Sequence, residues 1–268
     1  MLETARYLGT NQSSVHAGGV YISLTKYQEE VLPNTTLHAH ENPHMTLLLQ
    51  GGTQEKWKNE VYERSAGDIV FYPAGEPHHN RNTRIGSKNM NIEFEPVFLK
   101  NYDLKEEAVE LTLHNTPKAK FLLLNAYWEL TFADKFSGES IHMLLLYLMH
   151  GHKQFYNNGS KNQALPEWVI RVRECLQDRW NETVTLKELS LAAGVHPITI
   201  SKFFPQYFSC TLGEYLRWIK TEKALTLVKT SKLSLLEIAH ECGFSDQSHF
   251  IRVFKMITGF LPNDFRKL

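Results

Sequence analysis

This 268-residue chain has no run approaching the roughly 20 consecutive apolar residues that a membrane-spanning helix needs. The apolar stretch Ile141 to Met149 is short and flanked by histidine, and it reads as a buried helix. The opening MLETARYLGTNQSS lacks the basic start and apolar block of a secretory signal. Cysteine is scarce: Cys175, Cys210 and Cys242 are odd in number and widely separated. That pattern argues against a disulfide framework and for small buried hydrophobes in a reducing compartment. Together these absences lead to the expectation of a cytoplasmic protein with no membrane partner.

Net charge is also missing. The 29 Lys and Arg balance 29 Asp and Glu, so the whole-chain charge gives no argument for nucleic acid. Its distribution says slightly more. From Leu165 onward there are 14 basic and 11 acidic residues, which leaves 29 − 14 = 15 basic against 29 − 11 = 18 acidic before it. An excess of about three positive charges at the carboxy-terminal end agrees with DNA binding without establishing it.

What is present is clearest at the end of the chain. In LSLLEIAHECGFSDQSHFIRVFKMITGFLPNDFR, Leu236, Ile238 and Ala239 recur at helical spacing, and a turn follows at Cys242-Gly243-Phe244. Ser245 or Asp246 can cap a second helix with Phe250, Val253, Phe254 and Ile257 on its apolar face. Two helices joined by a glycine-containing turn make a helix-turn-helix, which lays its second helix in a DNA major groove. This string, with Phe254-Lys255, Gly259, Pro262 and Arg266, resembles the signature of AraC/XylS transcription regulators, and the resemblance extends from about Trp168 to Lys267. It implies a cytoplasmic regulator that is not an enzyme, commonly an activator. Its implied partners are promoter DNA, a small-molecule effector such as a sugar, a second copy of the chain, and RNA polymerase.

A weaker helix-turn-helix precedes it. Thr185 and Glu188 fit a capping box, Leu186, Leu189, Ala192 and Ala193 follow, and Gly194-Val195 makes the turn. The next helix starts near His196-Pro197, and Pro205 is expected to end or kink it early. A long helix, Leu212 to Val228, carries Tyr215, Leu216, Ile219, Ala224 and Leu227 on one side and would hold two readers apart. Two readers on one chain should enter successive major grooves about 34 Å apart. The base-reading candidates are Ile198, Thr199, Ser201 and Lys202 in the first reader, and Gln247, Ser248, His249 and Arg252 in the second. Gln247 can pair adenine, Arg252 can pair guanine or a phosphate, and Ile198 can pack on thymine methyls. Lys202 and Lys255 suit phosphates.

Before about residue 100 the period is two. Val20–Leu24, Thr46–Gln50, Lys56 to Tyr62, Asp68–Tyr72 and Met90–Phe94 read as strands, and many short strands broken by Gly, Pro and Asn suggest a double-sheet barrel around a pocket. His38, His40, His44 and Gly51 resemble the first cupin motif; Gly67, Pro73, Gly75, His78 and Asn82 resemble the second. The resemblance places His38, His40, His44 and His78 inside the barrel, as ligands either of an organic effector or of a metal. His44 stands where the family has a carboxylate, with Glu41 and His79 as substitutes in the shell. Four imidazoles suit zinc, nickel, copper or iron. A metal-dependent cupin enzyme or metal sensor fused to a DNA-binding tail is the competing reading. The missing carboxylate and the lack of an evident acid and base pair oppose the enzyme.

Between these parts Phe121, Leu122, Leu124, Trp128, Leu130 and Phe132 precede an expected break at Gly138, and Ile141, Leu144, Leu145, Leu148 and Met149 form a helical stripe that is either core or a dimer face. Asn157 to Gln163 is polar and breaker-rich, as a linker is. The expectation is therefore an α+β two-domain chain: a cupin-like effector-sensing barrel over 1–110, a helical dimerisation segment over 111–156, a linker over 157–165, and an all-α DNA-binding domain with two helix-turn-helix units over 166–268. The Leu2 to Ser14 arm is a candidate lid by family analogy.

Overall fold

The computed structural model describes residues 9–28, 37–58, 60–116, 118–157, 166–208 and 210–267. Most of the proposed lid arm and all of the proposed linker beyond Asn157 lie outside them.

Eight strands come first: β1 (Thr10–Ala17), β2 (Val20–Lys26), β3 (His44–Gln50), β4 (Gly52–Trp57), β5 (Glu60–Ser65), β6 (Ile69–Tyr72), β7 (His78–Arg81) and β8 (Lys88–Phe94). They form two antiparallel sheets, one of five strands in the order β1-β2-β8-β3-β6 and one of three in the order β5-β4-β7. No pairing among the described strands closes the two into one continuous wall. The expected strand from Lys56 to Tyr62 is a hairpin, because Lys58 takes a left-handed φ of 48° and turns the chain between β4 and β5. β1 and β7 were not expected.

Strands β2, β8 and β3 of the large sheet bury both faces, which differ in kind. Met45, Leu47, Ile22, Met90 and Ile92 lie on one face at 0 to 1 % exposure. Phe94 continues that face to the Phe98 ring, 5.5 Å away. The alternate positions of β3 and β8, including His44, Thr46, Asn89 and Asn91, are also buried and face a cavity. Period two separates an apolar side from a polar one, and both exclude water.

Helices follow: α1 (Pro96–Asn101), α2 (Glu106–Asn115), α3 (Ala119–Thr131) and α4 (Ser137–Asn157). Helix therefore begins well before residue 111. Gly138 is not the break; it lies in the first turn of α4, where a Cβ would stand 3.3 Å from the Ala17 Cβ. The chain instead turns at Asp134, whose Oδ1 accepts from the Phe136 N–H at 2.8 Å. Ile141, Leu145, Leu148 and Met149 are buried, while Met143 and Tyr147 on the same helix are exposed.

The remaining helices are α5 (Glu167–Asp178), α6 (Leu186–Ala193), α7 (Pro197–Phe208), α8 (Leu212–Thr230), α9 (Leu235–Glu241), α10 (Gln247–Thr258) and α11 (Pro262–Lys267). Contacts divide the chain into two units, one within 1–113 and 122–147, the other within 114–121 and 148–267. The second is helical among its described residues. Three of its helices start with the same device: Thr185, Thr211 and Ser234 each accept from the backbone N–H three residues on, and Glu188, Glu214 and Glu237 bond back. Val169, Val172, Leu176, Leu189, Ile200, Phe204 and Tyr215 build one core. Ile238, Ala239, Phe250, Phe254 and Phe265 are buried in the later helices.

Two expectations fail here for physical reasons. Of the two outcomes expected at Pro205, an end or a kink, the end does not occur: α7 continues to Phe208. Burial of Phe204 and Phe208 holds the helix, and Ser201, whose carbonyl loses its partner at Pro205, is exposed and open to water. On α8, Leu216, Ile219 and Leu227 are only half-buried, while Thr221, Leu225 and Val228 are buried beside Tyr215 and Ala224. The helix packs against α7 and also against α9, α10 and α11, so no single side carries its core. Cys210 and Cys242 are buried, with burial pushing each thiol up to about 12, while Cys175 is half-buried. Among the described residues no helix is long and apolar enough to cross a membrane.

Candidate functional site

His38 and His78 meet through their backbones: the His38 N–H donates to the His78 carbonyl at 3.1 Å and the His78 N–H to the His38 carbonyl at 2.9 Å. That bridge brings the segment before β3 onto β7, and period two then turns His40 to the same side as His38, with ring centroids 5.3 Å apart. One ring nitrogen from each of His38, His40 and His78 lies within 4.8 Å of the others, and all three residues are buried. His44, at the start of β3, is beside this set and not part of it; its ring lies 4.1 Å from His40 and stacks on Tyr72 at 4.7 Å. Glu41 is exposed, and His79 takes the Arg81 Nε at 3.4 Å.

The electrostatics favour neutral rings. Burial, reinforced by His38, pushes His40 down to about 4, and the same two causes take His78 to about 3. Burial and then His40 and His78 hold His44 well below its ordinary value. A neutral imidazole keeps a lone pair for a metal or a hydrogen-bond donor. Three such nitrogens fit zinc, nickel, copper or iron and would be a poor set for calcium or magnesium.

Beside the histidines is a cavity of about 30 Å³, room for about two waters, lined also by Tyr72, Arg64, Asn89, Asn91 and Thr46. Tyr72 is fully buried and its phenol is pushed well above the usual range by burial and by Glu55. Glu55, also fully buried, accepts from Arg64 Nε at 2.9 Å. Sequence reasoning missed these partners. Period two from His44 through Thr46 was the available signal, because it puts both on one face.

In the second unit each helix-turn-helix presents the start of its second helix. On α7, Ile198 is 64 % exposed, Ser201 and Lys202 are exposed, and Thr199 is half-buried. Ser201 Oγ donates to the Ile198 carbonyl at 3.2 Å, and Lys202 Nζ lies 5.3 Å from the Phe203 ring centroid. On α10, Gln247, Ser248, Arg252 and Lys255 are exposed. His249 is half-buried: its Nδ1 is 3.0 Å from Ser245 Oγ and its ring stands edge-on to Phe244. Asp246 caps α10 by accepting from the His249 N–H at 2.7 Å. Arg266 ties the end of the chain down, donating to the carbonyls of Val228 and Leu233 at 3.2 and 2.7 Å.

A β-sheet region followed by two such units defines a helix-turn-helix DNA-binding regulator, and residues 189–268 match the family profile described as a helix-turn-helix domain. The chain is 31 % identical over 236 residues to the uncharacterized HTH-type transcriptional regulator YpdC of Escherichia coli (strain K12), covering 83 % of this chain and 81 % of that protein. It is 22 % identical over 264 residues to the HTH-type transcriptional activator RhaR of Mannheimia succiniciproducens, covering 91 % of each. Among solved structures, the C-terminal domain of AraT, a response regulator from Geobacillus stearothermophilus, is 28 % identical over 39 % of this chain and 88 % of that one, with a TM-score of 0.37. The chain belongs to the AraC family of HTH-type transcription regulators, and its relatives are regulators, not enzymes.

Proposed function

We propose that this regulator is an activator that binds promoter DNA sequence-specifically through α7 and α10, under control of a ligand held in a cupin-like sensor. The observation that carries it is the solvent-exposed start of both second helices, with Ile198, Ser201 and Lys202 on one and Gln247, Ser248 and Arg252 on the other. Side chains at the first turns of such helices reach base edges, whereas Lys255 further along suits a phosphate. The relative named an activator favours activation, with RNA polymerase as partner. A homodimer through the exposed Met143 and Tyr147 face of α4 follows the same reading.

His38, His40 and His78 would hold a divalent transition metal, with His44 alongside; a bound ion supplies open coordination positions to a ligand oxygen. An organic effector, a sugar or similar molecule, is the other occupant of the same cavity. In either case the ligand shifts DNA binding only through differential affinity for two states of the chain.

Footprinting against a genomic library at fixed salt tests the first part. Two protected major-groove segments about one helical turn apart are expected, and protection without sequence preference would sink it. Elemental analysis beside a His38→Ala, His78→Ala double variant tests the second: near-stoichiometric metal lost in the variant supports the ion, and its absence from both leaves the organic effector.

A further inference from the structure

Two helix starts in the second unit differ from the rest. Of α5 to α11, five carry a carboxylate in the first turn, at Glu167, Glu188, Glu214, Glu237 and Asp264, and two carry none, α7 and α10. An acidic first turn is the stabilising choice, because the leading N–H groups lack helical partners and the helix dipole places positive charge there. The two exceptions are the two candidate readers. Histidine anchors both. At α7 the His196 carbonyl accepts from the N–H groups of Thr199 at 2.9 Å and Ile200 at 3.4 Å, so His196 holds the cap position, and its Nδ1 accepts from the Ile198 N–H at 3.3 Å. Serine, threonine, asparagine and aspartate are the preferred caps, and histidine is not among them. At α10 the third residue is His249, where α6, α8 and α9 have the glutamate of a capping box. Ser245 Oγ gives its one proton to Asp246 Oδ2 at 3.1 Å, so the His249 Nδ1–H donates to Ser245 Oγ at 3.0 Å, and Asp246 Oδ1 accepts from the His249 N–H at 2.7 Å. That closed ring fixes the turn before α10. It also engages both oxygens of Asp246, the carboxylate at the cap of this helix.

Resting on the reading of α7 and α10 as the readers, we propose that His196 and His249 are positioning residues for DNA binding: each holds the first turn of a reading helix without adding a carboxylate where phosphates pass. A carboxylate at either place would gain the helix-end stabilisation and then meet the negative backbone of the groove it enters. An imidazole anchors the same turn with no negative charge. Each anchor acts through the main chain on a base-reading candidate. His196 holds the N–H of Ile198, and His249, tied to the Ser245 and Asp246 turn, follows directly on Ser248.

The test uses isosteric pairs in the full chain: His196→Asp beside His196→Asn, and His249→Glu beside His249→Gln. All four side chains can cap, so urea midpoints within a pair should be equal or favour the acid. Binding to sheared genomic duplex DNA should run the other way. Each acid should bind about tenfold more weakly than its amide, on the order of repulsion by two phosphates roughly 6 Å away in water. That ratio should shrink as salt rises. His196→Ala and His249→Ala, which cannot cap, should also bind more weakly than the amides; the acid and amide pair decides alone where an alanine variant does not fold. The proposal is overturned if acid and amide bind alike, if their ratio ignores salt, or if a folded alanine variant matches the amide. Lys202→Ala and Arg252→Ala on the same DNA keep the two readings apart. A loss in these with acid and amide alike defeats only the histidine proposal, and no loss in any variant removes α7 and α10 from the interface.

Discussion

Tyr72 stacks on His78 with ring centroids 4.2 Å apart and planes 26° apart, joining β6 of the large sheet to β7 of the small one. Tyr72 is also the backbone neighbour of His44, with which it stacks at 4.7 Å. The paired backbone hydrogen bonds of His38 and His78 already hold the segment before β3 on β7, and the aromatic stack links that pair to β6 and β3. Sheets joined by packed rings transmit displacement because close-packed groups cannot yield separately.

Arg252 is exposed on α10 one turn after Ser248. Arg252→Ala is expected to weaken specific DNA binding by about 1 to 3 kcal/mol. A base contact relaxes preference at one operator position, whereas a phosphate contact weakens all sequences alike and lowers the salt dependence. Binding isotherms on matched and mismatched operators at two salt concentrations separate these, and unchanged affinity would remove Arg252 from the interface.

Glu188 closes the α6 capping box and also receives Arg179 at 2.9 Å. Its hydrogen bonds with Thr185 and then with Arg179 lower its carboxyl from 4.5 to about 2. A carboxyl whose folded value lies below its unfolded value contributes stability above pH 4.5 and loses it as pH falls through the folded value near 2. Glu188→Gln is thus expected to lower Tm slightly at pH 7, since solvent screens an exposed carboxylate, with the gap to wild type narrowing across that window. A gap that is flat with pH would mean that Glu188 acts by shape and not by charge.

How legible the chain was depended on where its polar residues face. The strands containing Leu24 and Ile92 were legible because apolar residues alternate there, those containing Leu47 and Val70 because they are short apolar runs bounded by turn residues, and the caps at Thr185 and at Ser245 or Asp246 because such side chains are diagnostic. TNQSSVHA of β1 and HHNR of β7 carry almost no apolar signal, so their pairing comes from neighbouring strands. In the Met90–Phe94 strand the same alternation makes Asn91 look solvent-facing, yet it is 2 % exposed. A polar interior mimics a surface in sequence, which is why the histidines were visible and the asparagine wall was not.

Gly243 and Gly194 occupy equivalent turns with φ of 65° and 68°. A Cβ at Gly243 would stand 2.2 Å from the Asn181 carbonyl oxygen, whereas at Gly194 nothing lies within 4 Å. Gly194→Ala should therefore cost only the left-handed backbone, about 1 to 2 kcal/mol. Gly243→Ala adds a clash with main chain that cannot rotate away and should cost clearly more. Urea unfolding of the pair isolates the clash, and equal losses would show that the loop at Asn181 yields freely.

Pro205 lies inside α7 and removes the N–H that would pair with the Ser201 carbonyl. Relative to alanine, proline in a helix interior costs about 3 kcal/mol. It also restricts the unfolded chain, which offsets roughly 0.4 to 1 kcal/mol. Pro205→Ala is therefore expected to stabilise the DNA-binding unit by about 2 kcal/mol by that difference. The last turn of α7, from Phe204 to Phe208, should gain most, since its rings already pack at 4.5 Å. Urea midpoints measure the gain, and hydrogen exchange at Phe208 locates it. A midpoint that falls would show that the half-buried pyrrolidine ring packs too well to replace.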